Sequence, residues 1–165
     1  MENNYSNERN RWLIFEDTVF LKSCKTESFQ STGPGGQKKN KKFSAIRMTH
    51  IPTEVTVISD NYREQNINKK IAIKKLKIKI AINIRGPKIE LDRTIVSSSS
   101  DDYPLWIAKL FDILNNNKYD IKTTAVELSL TTSKLIKLIY KDKTVWKTIN
   151  DNRILNDIYP LNPPK

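Results

Sequence analysis

Strand-like alternation is strongest between Phe43 and Ile58. Phe43 to Thr49 reads as a strand, Ile51-Pro52-Thr53-Glu54 as a turn, and Glu54-Val55-Thr56-Val57-Ile58 as a β-branched partner strand. Together 43–58 predicts a hairpin. Upstream, Thr18-Val19-Phe20-Leu21 and Glu27-Ser28-Phe29 read as strand or strand edge. Downstream, Arg63, Ile67, Ile71, Ala72, Leu76 and Ile80 fit a helix that Asp60 or Asn61 could cap. From Lys75 the run KLKIKIAINI alternates strictly and fits a strand equally well. The i, i+3/i+4 spacing of Ile73, Leu76 and Ile80 favours helix, ended by Gly86-Pro87.

Beyond residue 100 the periodicity is helical. Tyr103-Pro104 opens a helix at Leu105, and Asn115-Asn116-Asn117 closes it. Between Lys122 and Tyr140, Ala125, Leu128, Leu130, Leu135 and Leu138 predict a helix, a tight turn at Ser129–Thr131 and a second helix capped by Thr131 or Thr132. This pattern resembles a helix-turn-helix, with Ser129 where glycine is common. A last helix is expected from Thr144 to Asn152, with Val145, Trp146 and Ile149 on its core side. Trp106 also reads as core. Ser97-Ser98-Ser99-Ser100-Asp101-Asp102 has no apolar period and reads as a linker. The expected class is α+β: a small antiparallel sheet packed on a helix, then a small all-α helix-turn-helix-like unit. The boundaries are an N-terminal extension 1–17, a sheet-and-helix domain 18–96, the linker 97–102, a helical domain 103–155 and a tail 156–165.

Charge adds a partner to this outline. The 29 Lys and Arg against 18 Asp and Glu give +11, of which +9 lies in residues 1–100. A chain this basic suits a polyanion, either nucleic acid or an anionic membrane surface. One cysteine, Cys24, excludes an internal disulfide, and one histidine, His50, makes a serine-histidine triad or a multi-histidine metal site improbable. Cys24 reads as a buried apolar side chain, and His50, ending a strand before a turn, as structural. No apolar run reaches membrane-spanning length, and the start MENNYSNERNRW is neither signal nor transit peptide. A cytoplasmic monomer with no membrane association is expected. The abundance of Lys, Ile and Asn, whose codons are A/T-rich, hints at a low-GC bacterial genome.

Three of the four glycines fall at Gly33, Gly35 and Gly36, followed by Gln37-Lys38-Lys39-Asn40-Lys41-Lys42. Neither a strand nor a helix holds such a segment. A phosphate loop would need a glycine where Lys38 stands, and the dinucleotide fingerprint fails at the same residue. What stands in order is Gly33-Pro34-Gly35-Gly36-Gln37, Asn40-Lys41, Ser44-Ala45-Ile46-Arg47-Met48-Thr49-His50, Pro52-Thr53, Arg63, Gln65, Asn68-Lys69, Ala72 and Leu76. This set resembles the GGQ domain of bacterial class I peptide chain release factors and of the small codon-independent ribosome-rescue hydrolases. The resemblance covers roughly residues 18–82, about 40% of the chain. Gln30, Thr32, Lys38-Lys39 and Glu64 depart from the family's usual residues, and none interrupts Gly35-Gly36-Gln37.

The resemblance implies hydrolysis of the peptidyl-tRNA ester in the peptidyl transferase centre, on stalled ribosomes or separated large subunits. It implies Gly35, Gly36 and Gln37 as catalytic residues, with the Gln37 N–H aimed at the leaving oxygen and its side chain placing the water. One well-aimed donor of this kind typically contributes about 2.7–4 kcal/mol. RNA contacts are implied for Thr32, Gly33, Pro34, Lys38, Lys39, Asn40, Lys41, Lys42, Arg47 and Arg63, and hydrogen bonding near the loop base for Gln65 and Asn68. The implied partners are the large ribosomal subunit with its 23S ribosomal RNA and the P-site peptidyl-tRNA. Gln37 becomes a candidate for N-methylation by a release-factor methyltransferase. No cofactor or metal is implied. Only 36 residues precede Gln37, which is expected to leave no room for a stop-codon reader. The residues after Leu155 are not a basic tail, so docking is expected from the C-terminal helices, on RNA or on a protein partner. Two other readings stay open: a non-catalytic ribosome-binding protein, and a DNA-binding regulator built on the C-terminal helices.

Overall fold

The computed structural model describes residues 5–30, 43–91 and 95–164. The chain is α+β. A three-stranded antiparallel sheet, order β1-β2-β3, is built from β1 (Cys24–Phe29), β2 (Ala45–His50) and β3 (Thr56–Ser59). Register runs from Cys24 opposite His50 to Phe29 opposite Ala45, and from Ile46 opposite Ser59 to Thr49 opposite Thr56. The expected hairpin forms, but Glu54 sits at φ 55° inside the turn, so β3 begins two residues later.

Around the sheet lie α1 (Ser6–Ile14), α2 (Asp17–Phe20), α3 (Gln65–Asn83), α4 (Tyr103–Asn116), α5 (Ile121–Glu127), α6 (Thr132–Tyr140) and α7 (Lys143–Leu155). The ambiguous run from Lys75 is helix. Asn68, Ala72, Leu76 and Ile80 are buried at every fourth position, and so are Ile73, Lys77 and Ala81. Both rows are covered because α3 lies between the sheet on one side and α1 and α4 on the other. A strand, with its period of two, would not leave Lys74 and Lys75 exposed between buried pairs at 72–73 and 76–77. The expected start is corrected: α3 begins after Glu64, no side chain caps it, and Arg63 lies ahead of it. Asn83 ends it, before Gly86-Pro87.

The strand expected at Thr18–Leu21 is instead α2 followed by a 3-10 turn at Leu21–Ser23. The β-branched composition is overridden by tertiary packing. The short helix turns Phe20 fully inward, stacked on the His50 ring at 5.4 Å, and leaves Val19 exposed. One buried cluster then runs from Trp12 and Leu13 through Met48, Leu76 and Ile80 to Phe111, Leu135 and Ile149. Residues expected as an N-terminal extension thus supply α1 to this core.

The helix-turn-helix pattern is realised by α5 and α6. Thr131 caps α6 by accepting from the Lys134 N–H at 3.2 Å. Ser129 takes φ 55°, the left-handed geometry for which that turn favours glycine. Asp120 and Asp142 cap α5 and α7 in the same way. Trp146 is half-buried rather than core, its ring set edge-on to Tyr140 at 5.0 Å.

A buried ion pair locks α1 to α4. The Arg9 guanidinium, with its side chain 0% exposed, donates to both carboxylate oxygens of Asp112, at 2.7 and 2.8 Å, and to the Ile84 carbonyl at 3.0 Å. Gly86 passes directly over it: a Cβ there would lie 2.7 Å from Arg9 Cζ. Close approach, not backbone torsion, demands this glycine. Removing one partner strands a buried charge, so Asp112→Ala should lower the unfolding free energy by about 3 kcal/mol in urea titrations. Replacing Arg9 and Asp112 together by Met and Leu should recover most of that loss.

Candidate active site

β1 and β2 end side by side at Phe29 and Ala45. The chain between them carries Thr32, Gly33, Pro34, Gly35, Gly36, Gln37, Lys38, Lys39, Asn40, Lys41 and Lys42, all outside the described residues. What is described is the stem. Asn68, buried on the first turn of α3, uses its whole amide there. Its Nδ2 donates to the carbonyls of Ser44 (2.8 Å) and Tyr62 (2.7 Å). Its Oδ1 accepts from the Tyr62 N–H (3.1 Å) and the Ser59 hydroxyl (3.5 Å). One turn earlier, Gln65 Nε2 donates to the Phe43 carbonyl at 3.0 Å. Two side chains of α3 therefore hold the last residues before β2, the end of β3 and the turn between β3 and α3. Both were expected near the loop base; the contribution of Tyr62, made through its backbone, has no sequence signal.

Of the proposed RNA contacts, two are described. Arg47 is exposed on β2, its guanidinium 5.4 Å over the Phe29 ring at the end of β1. Arg63 is exposed beside the stem and lines an open cleft of about 400 Å³ with Phe43, Ser44, Glu64, Gln65 and Asn66. The two arginines flank the same hairpin end.

The titratable side chains under the sheet are set for packing. His50 is fully buried, with the Trp12 ring edge-on at 4.6 Å and the Phe20 ring stacked at 5.4 Å. Its Nδ1 shares a hydrogen bond of 2.8 Å with the Thr53 hydroxyl, and its Nε2 meets no hydrogen-bond partner among the described residues. Burial pushes its imidazole down from 6.5 to about 4. Burial likewise pushes the half-buried Cys24 thiol up to about 11, away from the reactive thiolate. Among the described residues, no three His, Cys, Asp or Glu side chains gather to hold a metal ion. No described helix is long and apolar enough to cross a membrane.

With the stem in view, comparison with known proteins identifies the domain. The RF-1 domain family matches residues 17–101, just over half of the chain. The chain belongs to the RF-1 domain family. Peptide chain release factor 1 of Anaplasma marginale (strain Florida) is 41% identical over 69 residues, which are 42% of this chain and 19% of that protein. Peptide chain release factor 2 of Thermotoga petrophila is 48% identical over 56 residues, 34% of this chain and 15% of its own length. Peptide chain release factor 1 of Acholeplasma laidlawii is 42% identical over 75 residues, 46% and 21% of the two chains. The chain thus spans about a fifth of the length of the curated relatives it matches.

Two measurements probe this region. Asn68→Ala leaves the Ser44 and Tyr62 carbonyls without their donor, and should cost about 2–3 kcal/mol in urea titrations. Asn68→Asp should cost at least as much, since a carboxylate would face two carbonyl oxygens. For His50, the unfolded chain takes up the proton first as pH falls, because the folded pKa is the lower one. The stability conferred by neutral His50 is present above 6.5 and is lost between 6.5 and about 4. The slope is at most about 1.4 kcal/mol per pH unit. His50 is the only histidine. Urea midpoints should therefore fall between about pH 7 and about pH 5 in the parent protein and change much less in His50→Phe.

Proposed function

We propose that this chain is a codon-independent peptidyl-tRNA hydrolase that works on stalled ribosomes or separated large subunits. The observation that carries the reading is the stem: Asn68 and Gln65 anchor the end of the segment bearing Gly35-Gly36-Gln37, in a chain of the RF-1 domain family. The relatives that match this region are peptide chain release factors. In the proposed reaction a water oxygen attacks the ester carbonyl, and the bond to the terminal ribose oxygen breaks. The peptide leaves with a carboxyl end, and the tRNA keeps its hydroxyl. The Gln37 N–H stabilises the oxygen on which charge develops, and its side chain places the water. Lys38, Lys39, Lys41 and Lys42, with Arg47 and Arg63, steady the loop on ribosomal RNA. The chemistry is assigned to 18–96 and docking to 103–155. α1 and α4 pack against α3 in the core of the domain.

Peptide release from ribosomes holding labelled peptidyl-tRNA, with and without a stop codon in the A site, tests this reading. Equal release in both is expected. Gly36→Ala, which sets a Cβ beside the Gln37 N–H, should lower release by about a hundred-fold or more and leave ribosome binding intact. Full release by Gly36→Ala would refute the loop mechanism. Binding without release by the parent protein would favour a non-catalytic ribosome-binding role.

A further inference from the structure

From Leu128 to Lys141 the chain carries three lysines and no acidic residue. Helical geometry places Lys134, Lys137 and Lys141 within an arc of about 60° on α6, spread over about 10 Å of its axis. Leu135 and Ile139, the buried residues of the same helix, lie on the opposite side. All three lysines are exposed, and none pairs with an acid among the described residues. The acids that border the segment are engaged elsewhere. Glu127 accepts from Asn117 Nδ2 at 2.9 Å, and Asp142 caps α7. On α7, by contrast, Lys147 is held 2.6 Å from Asp151. The lysines of the C-terminal helices are thus unequal, and α6 presents an uncompensated row.

The surroundings of α6 restrict how that row can be used. A groove-reading helix-turn-helix inserts the N-terminal residues of its second helix among base edges. Here Thr132, Ser133, Ile136 and Lys137 share a cleft of about 490 Å³ with Asn162, Pro163 and Pro164. The segment leading there is pinned: the Leu161 N–H donates to Asn150 Oδ1 at 2.7 Å, and Arg153 Nε donates to the Tyr159 carbonyl at 2.9 Å. The chain's own residues wall the end of α6 that would have to enter a groove. Lys137 lies at the rim of that cleft and is still exposed, and Lys134 and Lys141 lie outside it. A-form RNA suits this arrangement, because its deep, narrow major groove excludes side chains and leaves the phosphate backbone to be contacted.

We propose that α6 is a phosphate-backbone docking face for ribosomal RNA, in which the helix-turn-helix places lysines rather than reads bases. This rests on the ribosome being the partner, as proposed above. Contacts of this kind position a protein without sequence preference.

The test compares Lys134→Gln/Lys137→Gln/Lys141→Gln with Lys147→Gln, using the full chain. Binding to purified large ribosomal subunits and to a short DNA duplex is measured from about 50 to about 200 mM salt. Loss of three phosphate contacts should reduce the slope of log affinity against log salt by about two. Affinity for large subunits at the low-salt end should fall about tenfold or more, with Lys147→Gln unchanged. Peptide release at saturating triple variant should match the parent. An unchanged slope overturns the proposal, whether affinity is kept or falls equally at every salt. So does tighter binding to the DNA duplex that the triple variant abolishes. Binding is read without turnover, so a parent protein that binds but releases no peptide would sink the catalytic reading alone.

Discussion

The Arg9–Asp112 pair joins residues 103 positions apart and fixes how α1 meets α4. A guanidinium removed from water is tolerated only where its donors are met. Here they reach two carboxylate oxygens and the carbonyls of Ile84 and Pro87. That requirement draws α1, the chain after α3 and α4 to one point. Arg85 approaches the same carboxylate at 3.4 Å and lies over the Phe111 ring. Gly86 completes the arrangement by leaving room for the guanidinium. The segment from Ile84 to Val96 then carries Ile89 and Val96 into the shared core. The linker serines after it adjoin a packed structure instead of separating two loose ones.

With α3 held between α1, α4 and the sheet, its first turn is a fixed platform, and the stem hangs from it. Asn68 is suited to that place because an amide presents donors and an acceptor at once, and backbone groups of both kinds converge there. Lys77, two turns further along α3, performs a related task towards the other end of the sheet. It donates to the Phe15 carbonyl and to Asp17, and lies over the Phe20 ring. This holds α2 against His50.

The hairpin was legible because β-branched alternation and a Pro-Thr turn agree with its tertiary setting. The stem was legible only through the family pattern: nothing in local periodicity distinguishes Asn68 from any polar residue near a helix start. The Gly35-Gly36-Gln37 segment was the plainest chemical signal, and it lies outside the described residues. Thr18–Leu21 misled because strand propensity of four residues is weak against the burial of one phenylalanine. Arg9 was invisible for a different reason. Its neighbourhood reads as a polar terminus, and its partner lies 103 residues away, so no window contains both. Ser129 shows the opposite case: the turn was read correctly although the residue best fitted to φ 55° is missing.

The composition also overstates the number of cations left free to contact a polyanion. Several of the 29 basic residues are spent on backbone carbonyls at the ends of elements. Arg9 reaches Ile84, Lys77 reaches Phe15, Arg85 reaches Ala81 and Ile82, and Arg153 reaches Tyr119 and Tyr159. Lys75 and Lys79 donate to Ile58 and Thr56 on β3, an outer strand of the sheet. A chain with more cations than acids satisfies them with carbonyl dipoles, and gains caps for its helices and a covered sheet edge in return. Net charge therefore measures two things at once. Lysines that meet neither acid nor carbonyl among the described residues, as on α6, keep their donors exposed, and burial and hydrogen bonding tell them apart where sequence cannot.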